Sequence, residues 1–146
     1  MIEHVNFAGQ NYAVIIRSQY EKPGITFVTP NEYSQQLAYM QHETGKKIMP
    51  HVHNPVPRQV TYTQEVLWIK KGKLRVDFYS DAQEFLESRV LESGDVILLA
   101  QGGHGFEVLE AVEMFEVKQG PYAGEEDKTR FEGKFSQNVE LGNINE

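Results

Sequence analysis

An all-β antiparallel barrel is the fold class this sequence predicts, and three observations predict it. From Asn11 onward, short apolar runs alternate with turn signals at close intervals. Helical periodicity is scarce, so strands have no competitor over most of the chain. With 146 residues and 40% apolar residues, the chain suits one domain with one core. The expected organisation is a single barrel over 1–120 followed by an acidic C-terminal tail or extension over 121–146.

The expected strands, in order, are 12–17, 25–29, 36–41, 49–53, 65–69, 74–79, 85–91, 96–100, 106–109 and 114–119. A single short helical turn is allowed at 31–35. Lys70-Lys71-Gly72-Lys73 lies between Val66-Leu67-Trp68-Ile69 and Leu74-Arg75-Val76-Asp77-Phe78. Its glycine takes the positive φ that a tight hairpin demands, which predicts a chain reversal there. Ser80-Asp81-Ala82-Gln83 and Glu92-Ser93-Gly94-Asp95 predict two further turns. The second leads into Val96-Ile97-Leu98-Leu99, which suits a strand buried on both faces. Beyond Gln119 no periodicity remains, and Phe131 and Phe135 are the residues expected to anchor the first half of the tail.

Charge and composition exclude several functions. The 14 Lys and Arg residues against 21 Asp and Glu give a net charge of −7, which repels a phosphate backbone and predicts no nucleic-acid partner. Lys46-Lys47 and the Lys70 to Lys73 run read as solvated corners. With no cysteine there is no disulfide framework, thiolate metal site or Cys nucleophile, so a metal would be held by nitrogen and oxygen. The first ten residues lack a signal-peptide pattern, and nowhere do 18 apolar residues run together. The expectation is a cytoplasmic protein with no membrane partner.

The chemistry is carried by histidines. His51 and His53, two apart on an expected strand, leave the same face of a sheet. Glu65 shares a face with Leu67 and Ile69, whereas Val66 and Trp68 point the other way, so this acid faces the interior. His104 follows Gln101-Gly102-Gly103, whose glycines permit a close turn just before the imidazole. His4 and His42 lie outside this pattern and are assigned to the surface. The plainer reading of the His51–His53 pair is two partly buried histidines with no ligand.

The spacing reads Gly45, five residues, His51-x-His53, eleven residues, Glu65, six residues, Gly72, and then Gly94, five residues, Ala100, with His104 soon after. This arrangement resembles the cupin superfamily, in which a glycine, HxH, glutamate and glycine motif is followed by a second glycine, proline and histidine motif. It departs from that pattern in the long gap before Glu65 and in Ala100 replacing the proline. The resemblance covers most of the chain up to Gln119. It implies a double-stranded β-helix, the jelly-roll barrel, with His51, His53, Glu65 and His104 as metal ligands.

Three imidazoles and a carboxylate suit Fe(II), Mn(II), Ni(II), Cu(II) or Zn(II), with open positions for substrate or water. The first expectation is therefore a metal-dependent enzyme, an oxygenase or isomerase, acting on a small molecule such as a sugar or carboxylate. The second, from a known use of small cupins, is a metal-free isomerase or epimerase of a nucleotide-linked sugar in surface-polysaccharide synthesis. There His51 or His53 would act as acid and base, with Arg58, Tyr39 or Tyr62 holding the phosphates or sugar. The third is a sugar- or small-acid-binding module without turnover.

The segment 54–64, stiffened by Pro55 and Pro57, is expected to stay near the barrel mouth. As a lid it would offer Arg58 to an anionic group and Tyr62 as a stacking or hydroxyl surface; an ordinary exposed loop is the alternative. Trp68, directed away from Glu65, is a candidate for the face of a homodimer.

Overall fold

The structure, a computed structural model, describes residues 1–133. Its regular elements are almost entirely antiparallel strands: β1 (Ile2–Phe7), β2 (Gln10–Ile16), β3 (Gly24–Phe27), β4 (Ala38–Gln41), β5 (Glu65–Tyr79), β6 (Phe85–Glu92), β7 (Val96–Leu99) and β8 (Gly103–Lys118). One short 3-10 turn, Gly124–Asp127, follows. No helix among the described residues is long and apolar enough to cross a membrane.

Six strands form one curled sheet in the order β1-β2-β7-β5-β6, with β8 on β5, while β3 and β4 pair separately. β7 supplies its backbone groups to β2 on one side and to the first half of β5 on the other. That central place agrees with its unbroken apolar sequence, of which Ile97, Leu98 and Leu99 are buried. The core gathers Val5, Ile15, Leu67, Ile69, Leu74, Val76, Phe78 and Ile97 on the inner side of the curl.

β1 is a strand that the sequence reading omitted. Its inward residues are Glu3 and Val5, so an acid stands where an apolar residue would announce a strand. Arg17 bonds that acid through Nε at 2.6 Å and Nη2 at 3.1 Å, and Arg89 through Nη1 at 2.8 Å. The reversal into β2 is a two-residue turn in which Ala8 and Gly9 both have positive φ, 52° and 76°, the form that matches strand twist.

The expected hairpin at 70–73 is not a hairpin. β5 runs unbroken through it, and β8 runs unbroken through 103–118 where two strands were expected. Gly72 does have positive φ, 92°, but the conformation serves a bend. Three register irregularities fall between Ile69 and Leu74, opposite Val108 to Met114. Ile69 and Leu74 are five residues apart and would face opposite sides of a regular strand, yet both are in the core. A Cβ at Gly72 would stand 2.1 Å from the Ala111 carbonyl oxygen, so the two backbones meet at the bend.

The other turns form as expected. Gln83 has φ 67° and Gly94 φ 91° at the two predicted reversals. At 31–35 the chain makes a turn, with Tyr33 N–H donating to the Pro30 carbonyl at 3.2 Å, and no helix. Residues 49–53 are not a strand: the chain from 42 to 64 has no regular structure. Its prolines at 50, 55 and 57 remove donors that a sheet ladder needs. In the tail, Phe131 packs edge-on against Tyr79 with centroids 5.0 Å apart. Phe135 lies outside the described residues.

Candidate functional site

Glu65 opens β5, and its side chain enters the inner face beside Leu67 and Ile69, as the alternation of burial along the strand requires. His104 lies at the start of β8, paired in register with Phe78 near the far end of β5. Thirteen residues of straight strand would separate these ends by about 43 Å. The bend at Gly72 folds the β5–β8 ribbon over instead, and His104 Nε2 stands 3.5 Å from Glu65 Oε2. The turn before His104 needs glycine at Gly102, where φ is 74° and a Cβ would be 2.4 Å from the Tyr12 ring.

The carboxylate is 7% exposed and the imidazole half-buried. The hydrogen bond from His104 holds the Glu65 carboxyl below the ordinary carboxylate range. Burial opposes this, and the charges of His104, Lys118 and Lys128 reinforce it. Gln64 sets the entry into β5. Its side-chain oxygen accepts from Gln35 N–H at 3.0 Å, and its carbonyl accepts from Gln119 N–H at 3.1 Å.

The pair forms part of the wall of a cleft of about 1090 Å³, a volume that suits a small organic ligand. Around it the cleft is lined by Tyr62, Tyr79, the backbone of Gly102 and Gly103, Lys128 and Phe131. The segment 124–133 closes one side: Thr63 donates to Asp127, Arg130 pairs with Glu125, and Phe131 seats on Tyr79. Residue types and spacing signalled Glu65 and His104. Nothing local signalled Gln64, the neighbour of Glu65, or Tyr79, which the curl brings to the site, or Asp127, which the segment 124–133 carries there.

The other expected site residues lie elsewhere. His51 and His53 are exposed, outside any strand and outside the cleft lining. Their rings are 5.2 Å apart, and His51 Nδ1 lies 2.9 Å from the Met49 carbonyl. The structure therefore brings together Glu65 and His104 but not the histidine pair. Among the described residues no three His, Asp or Glu side chains are grouped to hold a metal ion, so the residues as placed do not make a four-ligand centre. Arg58 is exposed, and Nη1 donates only within its own segment, to the Val56 carbonyl at 3.5 Å. It does not line the cleft, whereas Tyr62 does. Tyr39 packs edge-on against Tyr20, with centroids 4.9 Å apart and away from the cleft. Trp68 points outward and stacks on Phe115, centroids 5.5 Å apart.

Comparison with protein-family models, with curated proteins and with solved structures finds no match for this chain. The site is therefore read from its own geometry.

Proposed function

We propose that this protein is a small-molecule enzyme on a cupin-like jelly-roll barrel, in which His104, backed by Glu65, moves a proton on a sugar-sized, oxygen-rich substrate. The supporting observation is a half-buried imidazole 3.5 Å from a buried carboxylate on the wall of a ligand-sized cleft. A carboxylate that accepts from Nε2–H orients the ring and leaves Nδ1 as the proton acceptor. When the ring takes a proton, the adjacent negative charge stabilises the imidazolium. Removing a proton from carbon next to a carbonyl leaves an enediolate. Solvent water protonating the opposite face, with His104 releasing its proton to solvent, completes an epimerisation; His104 returning the proton to the neighbouring carbon, while the hydroxyl proton passes to the former carbonyl oxygen, completes an isomerisation, and neither needs an oxidant or reductant. Lys128 on the cleft wall supplies positive charge for a carboxylate or phosphate of the substrate.

The experiment is solvent-deuterium incorporation followed by NMR, with nucleotide sugars, sugar phosphates and small hydroxy and keto acids as substrates. The native chain is expected to exchange one carbon-bound proton of one class. His104→Ala is expected to slow that exchange by about 10²- to 10⁴-fold. A native chain that exchanges none of them, or His104→Ala exchanging at the native rate, rules the reading out.

A second reading keeps a divalent metal, held by His51, His53, Glu65 and His104 once the 42–64 segment closes on the cleft. What favours it is that the four donors already stand as two close pairs, His51 with His53 at 5.2 Å between rings and His104 with Glu65 at 3.5 Å, which the closed segment would bring together. Elemental analysis tests it: near-stoichiometric metal in the native chain, lost in both His51→Ala and His104→Ala, is the expected result. Native protein that takes up none of Fe(II), Mn(II), Ni(II), Cu(II) or Zn(II) removes it.

A further inference from the structure

The cleft that holds Glu65 and His104 is walled mainly by acids. Among the described residues, Glu65, Asp77, Asp81, Glu126 and Asp127 line it against Lys128 and Arg130. Asp77 is taken up by the Arg75 guanidinium, whose Nε lies 2.8 Å away, and Arg130 is neutralised by Glu125. Lys128 is then the described cation left to meet a ligand, with the charges of Asp81, Glu126 and Asp127 around it. A phosphate monoester or diphosphate, with two negative charges, meets more repulsion than attraction on such a wall. A single carboxylate matches a single ammonium.

Lys128 is also held in place. It lies one residue after Asp127 and three before Phe131, and both fasten the segment 124–133 to the cleft. Asp127 accepts from Thr63, two residues before Glu65. Phe131 fills a notch that glycines keep open: a Cβ on Gly103 would stand 3.1 Å from its Cζ, and one on Gly133 would stand 2.9 Å from the Tyr79 hydroxyl. The Lys128 N–H donates to the Glu125 carbonyl at 3.2 Å, which closes the turn. From this position the Lys128 charge reaches Glu65 and helps to hold its carboxyl low. Lys118, in register with Glu65 on β8, lines a smaller cavity of about 240 Å³ instead.

We infer that Lys128 determines specificity in this cleft, and that the substrate is a 2-keto sugar acid whose one carboxylate sits on the Lys128 ammonium with its C3–H toward His104. Asp127 and Phe131 are positioning residues, because they hold the segment that carries the ammonium. The reaction rests on the proton transfer proposed for His104 and Glu65, whereas the carboxylate seat stands without it. In the step, the C3–H bond breaks as an N–H bond forms on the imidazole. The electron pair moves into the C2–C3 bond, and the C2 carbonyl oxygen takes the negative charge beside the same ammonium. The enediolate is then protonated from solvent or by His104.

Binding and reaction are measured separately on the full chain. Calorimetric titration, after dialysis against EDTA so that no metal carries a ligand, uses gluconate, sorbitol and glucose 6-phosphate. Gluconate and sorbitol share a six-carbon polyol chain and differ in the carboxylate. Native protein is expected to bind gluconate about 10- to 100-fold tighter than sorbitol, the worth of one charge-assisted bond, and also tighter than glucose 6-phosphate. Lys128→Met is expected to abolish the preference for gluconate and Lys128→Arg to keep it. Phe131→Ala is expected to lose most of the preference while its affinity for sorbitol stays the same, which a general loss of structure would not do. Deuterium incorporation then follows the reaction: 2-ketogluconate is expected to exchange at C3, whereas fructose 6-phosphate and nucleotide sugars are not. Gluconate held through Lys128 by a chain that exchanges no proton supports the seat and rules out the reaction alone. No binding of gluconate, equal affinity for gluconate and sorbitol, tighter binding of glucose 6-phosphate, exchange in a nucleotide sugar, or native binding by Lys128→Met would each overturn the inference.

Discussion

Two buried carboxylates, Glu3 and Glu65, are equally hidden at 7% exposure and differ in everything that surrounds them. Glu3 is gripped by two guanidinium groups, and the same Arg17 reaches Asp95 at 3.0 Å. Asp95 in turn accepts from the N–H groups of Ser18 and Glu92. Both acids of that corner are held by several donors, although Arg89 Nε is buried without a partner, and their positive partners are arginines, which stay charged at any pH of interest. Glu65 meets a single imidazole at 3.5 Å and opens on a cleft. The first arrangement holds β1, β2 and the β6–β7 turn together. The second has a partner that can gain or lose a proton and room beside it for a ligand. Burial of an acid therefore says little, whereas the saturation of its bonds separates scaffold from site.

The sharpest way to break this contrast is Arg17→Ala. It leaves Glu3 and Asp95 buried without their shared cation and is expected to cost about 3–5 kcal/mol in urea unfolding. Next comes Gly72→Ala, which forces a Cβ into the Ala111 backbone at positive φ. A loss of about 3 kcal/mol is expected, with a displaced His104 imidazole signal in NMR, since the bend is what brings the ribbon ends together.

Glu65→Gln is expected to cost no more than about 1.5 kcal/mol, the worth of one ordinary hydrogen bond, while slowing the proton exchange. Equal destabilisation by Glu65→Gln and Arg17→Ala would erase the distinction. The smallest effect is in acid. Burial pushes the Glu3 carboxyl up, but the bonds and charges of Arg17 and Arg89 outweigh it and hold the group below its ordinary value. A lowered folded-state pKa gives stability that is fully present above the unfolded value, near pH 4.3, and lost as pH falls through the folded one. The stability gap between the native chain and Glu3→Gln should be flat above about pH 5 and shrink below about pH 4.

Much of the fold was legible because short apolar runs and the turn chemistry that bounds them agree along β2, β6 and β7. What was hidden has particular physical reasons. β1 escaped because its inward acid is neutralised by arginines 14 and 86 residues away, and no local pattern reports such partners. At 70–73 the change of facing between Ile69 and Leu74 was visible, together with the glycine. A hairpin and a bulge share that signature, and only pairing with β8 distinguishes them. In the site, the inward direction of Glu65 and the turn before His104 followed from alternation and glycine. The placing of His51 and His53 assumed a strand that Pro50, Pro55 and Pro57 do not support.

The curled ribbon makes chain length itself a part of the site. Glu65 and His104 are joined by a counted path, thirteen residues along β5 to Phe78 and then one step across to β8. Facing alternates with every residue, so inserting one residue between Glu65 and Ile69 would turn the carboxylate out to solvent while leaving His104 and every original side chain in the sequence. A side-chain substitution between Glu65 and Ile69 leaves this alternation intact, whereas a change of count there reverses it. The interval from Glu65 to Phe78 thus works as a ruler, and its fixed number of residues is as much a requirement of the chemistry as the identity of the two residues it brings together.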